Sequence, residues 1–152
     1  MKRLLLHTTL IAITATAAFM FVNQPTTALT ANDYEEQVNI ARAERGLKPL
    51  QPSGKLRSTA CLKAQDMLAR DYWSHSTPDG SKFSKAIKDS GYRYSKVGEN
   101  LSKNNHTAEA TVDAWLDSQA HKDNLMGDYK EQGICTRSNA TTEITVQHLG
   151  KQ

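Results

Sequence analysis

The side chains with the widest chemical range in this sequence are its five histidines, His7, His75, His106, His121 and His148. An imidazole titrates near neutrality and serves as general acid, general base or metal ligand. His7 falls within an apolar N-terminal run. His106 closes the polar stretch Lys103–His106 and reads as a solvated surface residue. His148 lies near the end of an alternating segment and reads as a structural residue rather than a ligand. His75 follows the aromatic pair Tyr72-Trp73 and precedes the turn Ser76-Thr-Pro-Asp-Gly80, so it sits where a buried helix end meets a loop. His121 follows Trp115 by six residues, near the end of a helical pattern. Glu99, inside Val-Gly-Glu-Asn-Leu, is a carboxylate between Gly and Asn in a strand-like segment. That setting suits an inward polar group or a close approach of another backbone; the alternative is a surface acid on an edge strand.

Spacing alone does not bring these residues together. The sequence contains no H-E-x-x-H, no G-x-S-x-G, no P-loop and no Gly-rich dinucleotide fingerprint. Ser76 reads first as turn chemistry and Ser118 as helix-end chemistry. No activated nucleophile is evident, and no catalytic residue is assigned. Cys61 and Cys135 have no C-x-x-C partner. In an oxidising compartment a lone pair invites one disulfide; the alternative is two buried thiols acting as small apolar side chains.

The elements that must position these groups fit one domain in a chain of 152 residues, with 38% hydrophobic and 23% charged content. Lys2 and Arg3 precede an uncharged, mostly apolar run from Leu4 to Val22, with small residues at Ala28 and Ala31 beyond it. This reads as a secretory signal, and the division is 1–31 for signal and linker and 32–152 for the domain. An uncleaved membrane anchor is the alternative, since the run approaches the ~20 residues that span a bilayer. Without Lys2 and Arg3 the formal net charge falls from +3 to +1, which gives no electrostatic case for nucleic acid. Asn100, Asn105 and Asn139 begin N-x-Ser/Thr sequons, which matter only in a host that glycosylates.

Asp33 with Glu36 resembles a capping box opening a first helix that carries Tyr34, Val38 and Ala41, with Gly46 as its stop. Leu56, Ala60, Ala64 and Met67 recur at helical spacing and predict a second helix. Ser81 caps a third, bearing Phe83, Ala86 and Ile87 and ending at Gly91. Thr107 caps a fourth, with Ala108, Val112 and Trp115 on one face. Trp115 and Leu56 are expected in the core. Strands are expected at Val97–Ser102, Gln132–Arg137 and Glu143–Leu149, the last alternating Ile144, Val146 and His148 against Thr145, Gln147 and Leu149. Helices come mostly first and strands mostly last, so the class is α+β with an antiparallel sheet.

These residues resemble the CAP superfamily, whose members include cysteine-rich secretory proteins, antigen 5 and pathogenesis-related class 1 proteins, and most of all its short bacterial branch. The matching stretches are Val38-Asn-Ile-Ala-Arg, Arg45-Gly-Leu-Lys-Pro-Leu50, Leu56 with Ala60 and Ala64-Gln-Asp-Met67, Ser74-His-Ser-Thr-Pro-Asp-Gly80, Gly91-Tyr92 and Gly98-Glu-Asn-Leu101. Trp115-Leu-Asp-Ser-Gln-Ala-His-Lys-Asp-Asn-Leu125 and Glu131-Gln-Gly-Ile134 complete the ordered set. The resemblance implies a three-layer α-β-α sandwich with a central antiparallel sheet. It also implies a cavity with two histidines and two acids, carried over as His75, Glu99, His121 and Glu131. In the short bacterial branch the second histidine and second acid stand in the opposite chain order from the animal and plant branches. The chain departs from the pattern at Gln119-Ala120, where Pro-Gly is usual, and lacks the Gly-His-Tyr-Thr-Gln stretch and the disulfide-rich extension of the animal branch.

Two imidazoles and two carboxylates suit zinc or another divalent cation, and equally suit acid/base chemistry. The expected function is a secreted or cell-envelope binding module, a monomer. Its partner would be a small apolar ligand (lipid or sterol), a polysaccharide or an envelope protein, with divalent-metal dependence as a further expectation. A His/Glu-dependent hydrolase or peptidase is one alternative. An envelope structural or signalling protein with a vestigial site is the other.

Overall fold

The computed structural model describes residues 30–152. The signal segment and His7 lie outside the described residues. Among the described residues five helices and four strands run in the order α1 (Ala31–Ala43), β1 (Gln51–Pro52), α2 (Gly54–Ala69), α3 (Phe83–Asp89), β2 (Lys96–Lys103), α4 (Ala108–Asp117), α5 (Gln119–Leu125), β3 (Glu131–Ser138) and β4 (Glu143–Lys151). Among the described residues no helix is long and apolar enough to cross a membrane.

The first helix begins earlier than Asp33 suggests. Thr30 is its N-cap, and the Asp33 carboxylate, one turn in, accepts from the Thr30 backbone N–H at 2.6 Å and its hydroxyl at 3.0 Å. Asp33 is therefore the reciprocal partner in the capping box, not the cap. Ser81 is not the cap of α3 either. Its backbone N–H and C=O both bond to Thr77 across the turn, so the helix starts after Lys82. Thr107 does cap α4, accepting from Ala110 N–H at 3.0 Å.

The sheet has strand order β1-β3-β4-β2. Both long pairings are antiparallel, and β1 adds a short parallel pairing to β3 at the far edge. Strand β4 is central, and its alternation holds: Ile144, Val146 and His148 face one layer, Thr145, Gln147 and Leu149 the other, and all are buried. Ala60, Ala64 and Met67 of α2 pack on Leu101, Cys135, Ile144 and Val146. On the opposite face Tyr34, Val38, Val112, Trp115 and Leu125 pack on Ile134 and Leu149. The result is the three-layer α+β sandwich. Trp115 and Leu56 are core residues, as their spacing predicts.

Two features fix how the layers meet. Gly133 lies under the start of α2; a Cβ there would stand 2.1 Å from Arg57 N, so only glycine lets helix and strand approach this closely. Cys61 of α2 and Cys135 of β3 are disulfide-bonded, with Cα atoms 5.0 Å apart. On the other face a ladder of buried amides crosses the sheet. Asn100 donates to Gln147 at 3.0 Å, Gln147 to Gln132 at 3.0 Å, and Gln132 to the Glu35 carbonyl at 3.1 Å. Buried polar groups need partners, and this ladder supplies them.

Candidate functional site

His75 leaves α2 on a loop that is closed by local bonds. Its carbonyl accepts from Phe83 N–H at 3.2 Å, and Ser76 pairs with Lys82 across the turn. The ring packs edge-on against Phe83, centroids 6.5 Å apart, and remains 55% exposed. Strand β2 carries Glu99 opposite His148 of β4. Glu99 is fully buried at its side chain and bridges two imidazoles: Oε1 to His75 Nδ1 at 2.6 Å and Oε2 to His148 Nε2 at 2.9 Å. A carboxylate only accepts, so each ring presents an N–H to it. For His75 this turns the other nitrogen, Nε2, away from the acid. His148 Nδ1 reaches Thr59 Oγ1 at 2.8 Å, and Phe83 covers the His148 ring at 5.8 Å.

The electrostatics follow from this arrangement. Burial pushes the Glu99 carboxyl up, but hydrogen bonds from His148 and His75 and the charges of His148 and Lys63 outweigh it, and the pKa lies below the ordinary value. His121, on α5, is held below the usual imidazole value first by burial and then by the nearby charge of His75. Its Nδ1 is buried and bonds to nothing. α5 is pinned to β2 by Asn124, which donates to the Glu99 carbonyl at 3.0 Å, and by Asn100, which donates to the His121 carbonyl at 3.2 Å. His121 thus belongs to a short separate helix rather than to the end of α4. Ser118 breaks the two with an extended backbone, φ −98° and ψ 118°.

Of the four residues expected in one cluster, the structure bonds His75 to Glu99 and sets His121 within electrostatic reach of His75. It does not join Glu131 to them. Glu131 stands opposite Gly150, one inward position along β4 from His148 and on the other flanking strand. Its carboxylate is held by the Tyr92 hydroxyl and by Gln152 Nε2 at 3.0 Å. The local reason is Tyr92, whose phenol rises in pKa through burial first and then through this acid. The metal expectation has to be tested against these donors. Both Glu99 oxygens are engaged by histidines, Glu131 is engaged elsewhere, and only His75 and His121 remain. Among the described residues no group of three or more His, Cys, Asp or Glu side chains is placed to hold a metal ion. The arrangement does not fit a four-ligand zinc centre.

Sequence reasoning set aside His148, which completes the chain Thr59–His148–Glu99–His75, buried from Thr59 to Glu99 and open at His75. Its signal was present: it shares the apolar face of β4 with Ile144 and Val146, and a buried imidazole there requires a polar partner. Lys63 was also missed. It is 7% exposed, donates to the Tyr72 hydroxyl at 3.2 Å, and lies 4.8 Å from that ring's centroid. Burial lowers its pKa, opposed by the charges of Glu99 and Asp66.

Above this network a groove of about 300 Å³ runs between α2 and α3. Its apolar lining is Leu62, Phe83 and Ala86, with His148 beneath and Lys63 in its wall. Leu62 is 67% exposed, a large apolar side chain open at the groove.

The model of a family described as CAP, the cysteine-rich secretory protein family, matches residues 35–148. The uncharacterized protein YkwD of Bacillus subtilis is 39% identical over 98 residues, covering 61% of this chain and 38% of that relative. This chain spans well under half the length of the curated relatives it matches. Among solved structures, an extracellular protein containing an SCP domain from Bacillus anthracis superposes with a TM-score of 0.73 at 20% identity, over 80% of this chain and 40% of that one. An outer surface protein of Borrelia burgdorferi gives a TM-score of 0.72 at 21% identity, over 78% and 89%. At such identities the two structures establish the fold alone.

Proposed function

The chain belongs to the CAP, or cysteine-rich secretory protein, family, and on that footing we propose that it works outside the cytoplasm as a binding module for a small apolar ligand. The observation that carries this reading is the α2–α3 groove. Its volume of about 300 Å³ is at the lower end of the ~300–1,000 Å³ of small-molecule sites. Its apolar lining converges on a few fixed polar groups, as such sites do. Phe83 links the two parts of the site. It forms groove wall on one side, and it packs on both His75 and His148.

A hydrolase reading has less support. His75 and Glu99 form a histidine–carboxylate dyad, but among the described residues no hydroxyl or thiol is hydrogen-bonded to the exposed ring as a nucleophile would be. The dyad serves instead to tie the loop that carries His75, and through it the start of α3 at Phe83, to strand β2.

The test is binding of a neutral apolar dye such as Nile red, followed by fluorescence. Ala86 is exposed on the groove wall, so Ala86→Trp should fill the space without disturbing the core. At least a tenfold loss of dye affinity is expected in that variant, with unchanged affinity in His121→Ala. Equal dye binding by wild type and Ala86→Trp would remove the groove as the site.

A further inference from the structure

Trp73 lies in the loop after α2 and is 45% exposed. Single exposed apolar side chains are ordinary, but this one lines a cavity, and nothing in the groove reading uses it. The cavity, about 220 Å³, lies where the C-terminal end of α2 meets the β3–β4 turn and the end of β2. Tyr72 divides it from the groove. That residue lines the cavity, while its hydroxyl donates to Asp66 at 2.6 Å and accepts from Lys63 at 3.2 Å, both of them groove residues. The buried Met67 and Ile144 close the cavity with apolar surface. Its polar lining is Asp71, Lys103, Asn139 and Thr142.

These polar groups have bonding capacity to spare. Asp71 and Lys103 are exposed, and among the described residues neither is ion-paired. Asn139 Oδ1 accepts from the backbone N–H of Thr141 at 3.0 Å and of Thr142 at 2.9 Å, which fixes the amide and leaves its Nδ2 donors over. One carboxylate and one ammonium give the lining no net charge. A cationic ligand would meet Lys103, and an anionic one Asp71. The lining suits a neutral molecule that both donates and accepts and also presents a flat apolar face to an indole.

We propose that this cavity is a second binding site, for one gluco-configured pyranose ring of a neutral saccharide. The C–H face of the ring lies on Trp73, and its hydroxyls bond to Asp71, Lys103 and the Asn139 amide. The site does not depend on the groove. In the gluco configuration the ring hydroxyls are equatorial, so the axial C–H bonds form an apolar face. Each hydroxyl is both donor and acceptor, and its bonds to a carboxylate and an ammonium are charge-assisted. A tryptophan supplies a large, rigid contact at low cost in conformational entropy. The volume falls below the ~300–1,000 Å³ of drug-sized sites, which suits one ring of a glycan whose other rings stay in solvent. A bilayer contact would call for a broad apolar face, and here a single indole is flanked by polar groups.

The chain holds two tryptophans, and Trp115 is buried. The indole N–H signals of isotope-labelled protein therefore report the site and an internal control. Cellotriose and chitotriose are the probes, both neutral and gluco-configured. At least one should shift the Trp73 signal saturably and leave Trp115 unmoved. Trp73→Ala should weaken that binding by about tenfold, followed at the Asn139 and Thr142 amides. Asp71→Gly removes the carboxylate and keeps the left-handed backbone of Asp71, φ 48°, which glycine adopts freely. It should weaken binding by about fivefold, as loss of a charge-assisted bond does, and it decides the matter if Trp73→Ala fails to fold. No saturable shift with either saccharide would overturn the proposal. Undiminished binding in Trp73→Ala would overturn it by moving the saccharide elsewhere. A Trp73 shift with phosphatidylcholine vesicles and with neither saccharide would overturn it in favour of a membrane contact.

Discussion

Glu99 keeps its charge in the interior through two imidazoles, with Lys63 adding only a nearby charge, and this makes the site sensitive to acid. Its folded pKa is below its ordinary value of 4.5. The stability it contributes is present above that value and is lost as pH falls through the folded pKa. His121 is likewise depressed, from 6.5, by burial and by His75. The unfolded chain takes up that proton more readily than the folded one, so stability declines as pH drops below about 6.5. Both shifts act in the same direction. The urea midpoint should therefore fall in two stages between pH 7 and pH 3, and His121→Gln should abolish the first. A midpoint flat from pH 7 to pH 5 in wild type would show that His121 is not shielded as described. At this scale His75 and Glu99, which the structure bonds to each other, stand out in the sequence, because a turn and a glycine-flanked acid announce themselves locally. That Glu99 would meet His148 while Glu131 lay apart was not legible, because which acid meets which imidazole depends on strand register. Glu99 and His148 share a rung, and Glu131 falls opposite Gly150. Lys63 was not legible because its burial comes from Tyr72 and α3, which lie outside its own helix.

Among the elements, α2 bears most on the site, since it carries Thr59, Leu62 and Lys63. Its seat is Gly133, directly across from His148 on β4. Gly133→Ala would place a methyl carbon 2.1 Å from Arg57 N and 2.5 Å from Leu56 C, which are backbone atoms with no rotamer to yield. The helix must lift, and overpacking of this kind costs about 1–3 kcal/mol. Gly54→Ala meets nothing within 4 Å and is the control, expected to be neutral or slightly stabilising. Urea unfolding separates the two variants, and equal stability would show that α2 does not rest on β3 at Gly133. The helices and strands themselves were largely legible from period and caps. The α4–α5 break was not. Asp117-Ser118-Gln119-Ala120 has no proline or glycine to mark a boundary, and the turn is imposed by Asn100 and Asn124 drawing α5 onto β2. Strand β1 was missed for a similar reason: two residues ending in proline acquire strand character only from their parallel pairing with β3.

At the scale of the molecule, the sandwich joins its helical layer to its sheet covalently at one point, Cys61–Cys135. The bond closes a sequence separation of 74 residues. In the chain-entropy account a loop of that length constrains the unfolded chain by roughly 4 kcal/mol, and measured values for native disulfides run about 2–5 kcal/mol. The bond is also placed where it matters for the groove, because Cys61 is the residue before Leu62 and two before Lys63. Noncovalent packing holds the same helix, since Leu56, Ala60, Ala64 and Met67 are all buried. The two contributions can therefore be told apart. A double Cys61→Ala, Cys135→Ala variant should lose about 2–4 kcal/mol in urea unfolding. It should still bind the apolar dye at 25 °C with near wild-type affinity, because folded α2 keeps its seat on the sheet. Loss of binding in a variant that remains folded would mean that the disulfide, rather than the packed face, sets the groove wall. A stability loss below about 1 kcal/mol would mean that the unfolded chain already holds α2 and β3 together, so that the bond has little entropy left to remove.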